Sequence, residues 1–239
     1  MKFAEIKNLK LVSVAMQRLT HRADNLPALG VLYGASGYGK TTATIAYANA
    51  NQAYFLRLGS TWTKKTTLEK ICFELGIEPA KNSAACVDLI CSHLAAEQRP
   101  LILDEADYLV NKAGMVELVR DIYEGSQTPI LLVGEEHLPN KLKKFERFHG
   151  RVMTWIPAQP VGLEDAQTLA KVYAPHITIA DDLLEKLVEL AHGSVRRVVV
   201  NLNNLAEAAD LNGLAQLDLS SLKKLAGFEF YTGEIPKRR

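Results

Sequence analysis

The sequence predicts an α/β protein in which a doubly wound sheet of five parallel strands is followed by a small all-helical domain. Two observations predict this class. Short apolar runs alternate with segments of helical periodicity up to residue 157, and only helical patterns follow from residue 163 to residue 226. Nearly continuous apolar runs are typical of parallel strands, because helices cover both faces of such a sheet.

The five predicted strands are the apolar runs at residues 29–33, 53–58, 101–103, 129–133 and 152–156. Two helix faces lie between the second and the third run. The apolar residues of each face recur at i, i+3, i+4 and i+7, first as Leu68, Ile71, Cys72 and Leu75 and then as Val87, Ile90, Cys91 and Leu94. Strands that alternate with such helices predict the doubly wound arrangement.

The segment Pro157-Ala158-Gln159-Pro160 is interpreted as a hinge, because helical patterns alone follow it. They lie at residues 163–173, 181–191, 195–209 and 218–225. Their expected N-caps are Asp181 or Asp182 and Asp218, and Gly193 and Gly213 are expected helix ends. The predicted domains are an α/β domain at 1–157, a helical lid domain at 158–228 and a basic tail at 229–239 that ends in Lys237, Arg238 and Arg239.

Composition sets further limits. The 239 residues allow one core of ordinary size with a small appendage, and a net charge of +1 means that nucleic-acid contacts need local basic patches. Residues 1–5 lack the apolar core of a signal peptide and no apolar run is long enough to span a bilayer, so we expect a cytoplasmic protein without a membrane partner. The three cysteines are expected to be buried small residues in a reducing compartment: Cys72, Cys86 and Cys91.

The strongest motif, G-x-x-x-x-G-K-T, follows the first predicted strand and precedes a predicted helix. Its residues and the threonine after them are Gly34, Ala35, Ser36, Gly37, Tyr38, Gly39, Lys40, Thr41 and Thr42. In this context the motif predicts a phosphate-binding loop, the P-loop, whose N–H groups point at phosphate oxygens. Lys40 adds a positive charge for the β- and γ-phosphates, and Thr41 adds a hydroxyl ligand for Mg²⁺. We therefore expect the chain to bind a nucleoside triphosphate.

A second motif, Leu-Ile-Leu-Asp-Glu at residues 101–105, ends the third predicted strand. Asp104 lies where open α/β sheets bind ligands and is expected to hold Mg²⁺, directly or through water. Glu105 is expected to orient and deprotonate the attacking water. This acidic pair favours hydrolysis over a kinase reaction, in which the phosphoryl group is transferred to an acceptor. The nearby Asn111-Lys112-Ala113 is interpreted as a surface loop rather than as a guanine-recognition motif.

Two further features resemble the AAA+ ATPases, and the resemblance implies that the nucleotide is ATP. The segment 145–152 precedes the fifth strand, where that superfamily places an arginine finger; Arg151 matches the position best and Arg147 is the alternative. The finger stabilises transition-state charge at the γ-phosphate of a neighbouring subunit. The run Gly-Ser-Val-Arg-Arg at 193–197 resembles the sensor-2 motif, in which Arg196, favoured over Arg197 by its spacing, would contact the nucleotide; the alternative is a surface arginine.

The sensor-1 position departs from the superfamily, which usually has Asn, Thr or Ser after the fourth strand. This chain has Glu135 and His137 there, and the choice between them stays open. An ionised carboxylate cannot donate a hydrogen bond to a phosphate.

The sequence of residues 32–42 resembles the initiator-related AAA+ branch, as does the segment Val-Gly-Leu-Glu-Asp at 161–165, where the lid domain begins. Over roughly residues 5 to 210 the chain is similar to transposition protein B of Mu-like phages and to TnsC-type transposition regulators. The chain is interpreted as an ATPase core with a helical lid. The resemblance implies that it binds double-stranded DNA without sequence preference when ATP is bound. It further implies self-association into filaments or rings, delivery of target DNA to a transposase, release on ATP hydrolysis, and the host cytoplasm as the location of a phage protein.

The segment 59–66, after the second strand, is the predicted DNA-binding segment, because loops there line the DNA channel in the family. Lys64 and Lys65 offer phosphate contacts, Thr63 offers a hydroxyl donor, and Trp62 either stacks on DNA or packs on the protein. The alternative is a helix N-cap followed by a solvated lysine pair. A second basic run lies at 141–144.

Two other functions share these motifs. The first is a helicase-loader-like ATPase that acts on single-stranded DNA; such proteins display aromatic stacking platforms, for which Trp62 and Tyr108 are the candidates. The second is a nucleotide switch that binds protein partners only. A preference for duplex or single strand separates the first from a transposition regulator, and salt-dependent DNA affinity excludes the second.

Overall fold

The computed structural model describes residues 4–225 and 228–233, so the end of the predicted basic tail, with Lys237, Arg238 and Arg239, lies outside the described residues. The chain divides into two compact units. The sheet unit comprises residues 11–35 and 40–158. The helical unit comprises the described residues among 1–10, 36–39 and 159–239. Within the described residues, each helix is too short or too polar to cross a membrane.

The sheet unit is built on a five-stranded parallel sheet with the strand order β2-β3-β4-β1-β5. The strands are β1 (Leu29–Tyr33), β2 (Tyr54–Arg57), β3 (Leu101–Asp104), β4 (Ile130–Gly134) and β5 (Val152–Pro157). All residues of β3 and β4 are buried, whereas the edge strands β2 and β5 are mostly half-buried. This pattern confirms the α/β class, because only strands covered on both faces stay apolar along their whole length.

Helices on both sides of the sheet close its core. They are α1 (Lys7–Thr20), of which residues 7–10 belong to the helical unit, α2 (Lys40–Asn51), α3 (Lys64–Leu75), α4 (Ser83–Glu97), α5 (Asp107–Val110), α6 (Met115–Ser126), α7 (Leu138–Leu142) and α8 (Glu146–His149). The faces predicted for α3 and α4 are the buried ones, except that Val87 is only half-buried. The helix α1 is absent from the prediction, although its buried Val12, Met16 and Leu19 have helical spacing.

The three cysteines lie in the core of the sheet unit, as expected, and all are free thiols. Burial raises the pKa of Cys72 to about 11, and it also raises the pKa of Cys91. A thiol with a raised pKa is rarely a thiolate at neutral pH and is therefore a poor nucleophile. These cysteines act as small apolar core residues.

The helical unit has its own apolar core, which includes Leu187, Val198 and Leu202. Its elements are α9 (Leu163–Tyr173), β6 (Thr178–Ile179), α10 (Asp181–Ala191), α11 (Val195–Leu211) and β7 (Gln216–Leu217). The bounds predicted for α9 and α10 are confirmed, and α11 runs two residues beyond its predicted end at 209. The domain boundaries stay predictions.

Three details of the helical unit correct the sequence analysis. The short parallel strands β6 and β7 interrupt what was expected to be helix alone. Ala180, not Asp181 or Asp182, is the N-cap of α10. The helix expected at 218–225 is a 3-10 turn at Ser221–Lys224, because the Asp218 carboxylate accepts the Ser221 N–H at 2.7 Å and closes a tight turn there.

Candidate functional site

Lys40 lies at the first turn of α2, where the chain leaves the loop after β1. Its Nζ donates to the carbonyl oxygens of Gly34 at 2.7 Å and Ala35 at 2.9 Å. Burial lowers the pKa of Lys40, while the nearby carboxylates, led by Asp104 and Glu105, act to raise it. The ammonium group is thus held at the N-terminus of a helix, where the helix dipole also attracts anions.

The tip of the P-loop, residues 36–39, belongs to the helical unit. Gly37 and Gly39 have φ angles of 86° and 81°, a left-handed conformation that side chains disfavour. A Cβ on Gly37 would also lie 2.5 Å from Ser194 Oγ. The backbone therefore requires glycine at positions 37 and 39. The Arg196 N–H, in the first turn of α11, donates to the Gly37 carbonyl at 3.4 Å, and the Arg196 side chain is exposed.

Thr41 and Asp104 meet at the C-terminal edge of the sheet. Thr41 Oγ1 donates to Asp104 Oδ2 at 2.9 Å, and Asp104 is 3% exposed. A hydroxyl oxygen and a buried carboxylate are hard ligands of the kind that Mg²⁺ prefers, so Thr41 and Asp104 are the residues that could hold Mg²⁺.

Arg57 is a site residue that the sequence analysis missed. Its Nε donates to Asp104 Oδ2 at 3.3 Å, while its side chain is 56% exposed. Arg57 is also the register partner of Asp104 across β2 and β3. The role of Arg57 could have been inferred from the sequence, because neighbouring parallel strands end at the same edge of a sheet and both β2 and β3 end in a charged residue.

Glu105 directly follows β3 and has a φ of 59°. A non-glycine residue in this region carries a backbone strain of about 1–3 kcal/mol, and such residues cluster at functional sites. The Ala106 N–H donates to the Val133 carbonyl at 2.8 Å, which ties the turn to the end of β4. The half-buried Glu105 side chain is thus carried by a turn whose backbone is fixed.

The loop after β4 is held by Asp107, a second residue that the sequence analysis missed. Asp107 Oδ2 accepts the Glu135 N–H at 2.6 Å, and Oδ1 accepts from Lys141 Nζ at 2.7 Å. This hydrogen bond raises the pKa of Lys141. The side chains of Glu135 and His137 are both exposed, so the choice of sensor-1 residue stays open.

The two arginine-finger candidates differ in their surroundings. Arg151, just before β5, has a side chain that is 51% exposed, and its Nε lies 3.3 Å from Glu124 Oε1. Arg147 is exposed on α8. It lines a cavity of about 360 Å³ together with Glu117, Arg120, Lys144, Phe145, Glu146 and Phe148. Both side chains are accessible to a neighbouring molecule.

The predicted DNA-binding segment leads into α3. Thr63 is the N-cap of this helix, and its Oγ1 accepts the Thr66 N–H at 3.2 Å. Lys64 and Lys65 occupy the first two helical positions and are exposed. Lys65 Nζ lies 3.8 Å from Glu69 Oε1, an exposed pair that contributes little to stability. Both lysine side chains therefore remain available to a ligand.

Trp62 and Lys112 brace this segment. The Trp62 ring is half-buried against the core of the sheet unit, so it packs on the protein. Lys112 Nζ donates to the carbonyl oxygens of Ser60 at 2.6 Å and Trp62 at 2.5 Å. The sequence analysis had interpreted the Lys112 region as a plain surface loop, and no local pattern links it to a segment 50 residues upstream.

Comparison with known proteins gives a matching family and several similar structures. The model of the AAA domain family matches residues 23–142. The Aeropyrum pernix ORC2 protein, solved in ADPNP and ADP complexes, is similar with a TM-score of 0.69 and 17% identity, over 94% of this chain and 68% of that chain. The A. pernix ORC1 protein in complex with DNA has a TM-score of 0.59 and 17% identity, over 91% of this chain and 63% of that chain.

A third solved structure is the Thermotoga maritima RuvB Holliday junction branch migration motor. It has a TM-score of 0.63 and 18% identity, over 93% of this chain and 69% of that chain. The chain thus spans about two thirds of the length of these structures. Among curated proteins, none matches this sequence.

Proposed function

Since this chain belongs to the AAA domain family and is an ATPase, we propose that it binds double-stranded DNA without sequence preference in its ATP-bound state and delivers that DNA to a transposase. In this proposal the protein self-associates on DNA as filaments or rings, and ATP hydrolysis releases it. The observation that carries the DNA-binding step is the exposed lysine pair Lys64 and Lys65. The segment before this pair is held by hydrogen bonds from Lys112.

The nucleotide chemistry is assigned to four residues. Lys40 binds the β- and γ-phosphates, and Thr41 and Asp104 are the residues that would hold Mg²⁺. When bound, Mg²⁺ neutralises charge on the β- and γ-phosphate oxygens. Glu105 accepts the proton of the attacking water, since its carboxylate is carried at the strand end beside Asp104.

The transposition context rests on the resemblance of residues 32–42 and 161–165 to transposition regulators. The similarity of the fold to an ORC1 protein that was solved with DNA is compatible with a DNA ligand. A protomer with a net charge of +1 has little global attraction for DNA. Self-association compensates for this, because a polymer multiplies many weak phosphate contacts along one duplex.

Duplex DNA is favoured over single-stranded DNA for a specific reason. Proteins that bind single strands usually stack bases on exposed aromatic rings. Trp62 and Tyr108, the aromatic candidates, are both half-buried against the core of the sheet unit. They are therefore poor stacking platforms.

Replacing Lys64 and Lys65 together with alanine is expected to weaken duplex binding and to flatten its salt dependence. The loss of two phosphate contacts should reduce the slope of log K against log salt by about 2. Fluorescence anisotropy of a labelled duplex at several salt concentrations measures both quantities. The control replaces Lys81 and Lys171, two exposed lysines outside both basic runs, in the same way. If the control loses affinity and the Lys64/Lys65 variant does not, the DNA contact lies elsewhere.

Replacing Arg151 with alanine is expected to leave ATP binding intact and to lower turnover by at least about 10³-fold, since an arginine finger contributes about 10³–10⁵ to kcat. A mixture with a Lys40→Ala variant should regain activity, because the second variant supplies Arg151 to the intact pocket of the first. The phosphate-release rate of each variant and of the mixture tests this. Unchanged turnover of Arg151→Ala, together with a loss for Arg147→Ala, would transfer the role to Arg147.

A further inference from the structure

Asn8, the second residue of α1, is buried in the helical unit with 2% exposure. Its Nδ2 donates to the carbonyl oxygens of Tyr38 at 2.7 Å and Gln159 at 2.8 Å, and its Oδ1 accepts the Gln159 N–H at 2.8 Å. The Asn8 side chain therefore connects Tyr38, in the P-loop tip, with Gln159, the first residue of the C-terminal part of the helical unit. A buried amide that is fully paired in this way holds its partners in one arrangement.

The Tyr38 carbonyl matters because of peptide geometry. In a trans peptide the C=O and the following N–H point in opposite directions, and no described peptide bond is cis. Asn8 therefore fixes the direction of the Gly39 N–H by holding the Tyr38 carbonyl. The Arg196 N–H holds the Gly37 carbonyl and so directs the Tyr38 N–H in the same manner. Consecutive N–H groups fixed in this way form an anion-binding concavity.

We propose that Asn8 is a positioning residue for phosphate binding. It sets the Gly39 N–H in the orientation that receives phosphate and links that orientation to Gln159. The inference rests on the nucleotide site proposed above and adds a residue that lies outside the P-loop motif. Without Asn8 the nucleotide itself must order the loop, and this ordering reduces the affinity.

The test replaces Asn8 with aspartate and with alanine. Asn8→Asp keeps the size and the acceptor but removes both donors and sets a carboxylate against two carbonyl oxygens. Asn8→Ala removes the side-chain bonds without burying a charge, so it decides the test if the aspartate variant does not fold. For a slowly hydrolysed ATP analogue we expect the Kd to rise about tenfold, and for ATP we expect KM to rise with kcat changed by less than about threefold.

Asn201 on α11 provides a matched control. It is 0% exposed, its Nδ2 donates to the carbonyl oxygens of Arg197 and Tyr231, both at 2.9 Å, and its Oδ1 accepts the Tyr231 N–H at 2.8 Å. This asparagine has the same hydrogen-bond pattern in the same unit, but its partners are not P-loop residues. The same two substitutions at Asn201 should lower the melting temperature by a similar amount and leave the Kd for the analogue unchanged.

Calorimetric titration at a temperature where every variant is folded separates the outcomes. Weaker binding at Asn8 alone supports the positioning role. Unchanged binding at Asn8, or an equal loss at Asn201, overturns it. If the wild-type protein does not bind the analogue, the proposed nucleotide site itself is wrong. If the wild type binds the analogue and the Asn8 variants bind it equally well, only the positioning role is refuted.

Discussion

Replacing Lys40 with alanine is expected to abolish nucleotide binding, with a rise in Kd of at least about 100-fold. The ammonium group is held at the N-terminus of α2 beside the P-loop carbonyl oxygens of Gly34 and Ala35. Hydrogen bonds to charged groups contribute about 1.5–3 kcal/mol each, so the loss of two phosphate contacts from Lys40 accounts for a change of this size. Titration with a fluorescent ATP analogue measures it.

The Lys40→Ala variant should remain folded. Lys40 is a half-buried residue in the first turn of α2, and alanine has the highest helix propensity, so the substitution is expected to change the melting temperature little. The control is Lys171→Ala, an exposed lysine in the last turn of α9 that should bind the analogue like the wild type. Undiminished affinity in Lys40→Ala would refute the assignment of the site.

Replacing Glu105 with glutamine is expected to lower ATP turnover by about 10²–10⁴-fold, the usual contribution of a general base. Glutamine keeps the size of the side chain but cannot take the proton of the attacking water. ATP affinity should stay within about threefold, because Glu105 contributes no positive charge to phosphate binding. The variant should therefore remain in the ATP-bound, assembled state. Phosphate release and size-exclusion chromatography in the presence of ATP measure the two effects.

Glu136→Gln is the matched control for this variant. Glu136 is an exposed glutamate just after β4 whose carboxylate lies 3.3 Å from His137 Nε2. Its replacement should change neither turnover nor assembly. Rapid turnover by Glu105→Gln with normal ATP affinity would dismiss Glu105 as the base.

The sheet and most helices were predictable because their signal is local. Each buried strand is a continuous apolar run, and helices such as α9 and α10 combine 3.6-residue periodicity with clear ends. The strands β6 and β7 have two residues each, too few for any periodicity to show. The turn at Ser221–Lys224 was mistaken for a helix because Asp218 can cap either structure.

The proximity of the candidate site residues Lys40, Thr41 and Asp104 was predictable, because the motifs fix their residue types next to strand ends. The residues that hold the surrounding loops in place were not predictable, since their hydrogen-bond partners are distant in sequence. Asn8 contacts residues 30 and 151 positions away, and Lys112 braces carbonyl groups 50 and 52 positions upstream. Such contacts depend on how the elements pack, and no local pattern encodes that packing.

The most direct measurement of the central claim is fluorescence anisotropy of a labelled random-sequence duplex, titrated with the protein alone, with ADP and with a slowly hydrolysed ATP analogue. In this account the nucleotide bridges neighbouring subunits and the assembly contacts many phosphates at once, so it predicts cooperative, salt-sensitive binding with the ATP analogue only. A single strand of the same length should bind more weakly. Absence of duplex binding in all three states would contradict the account.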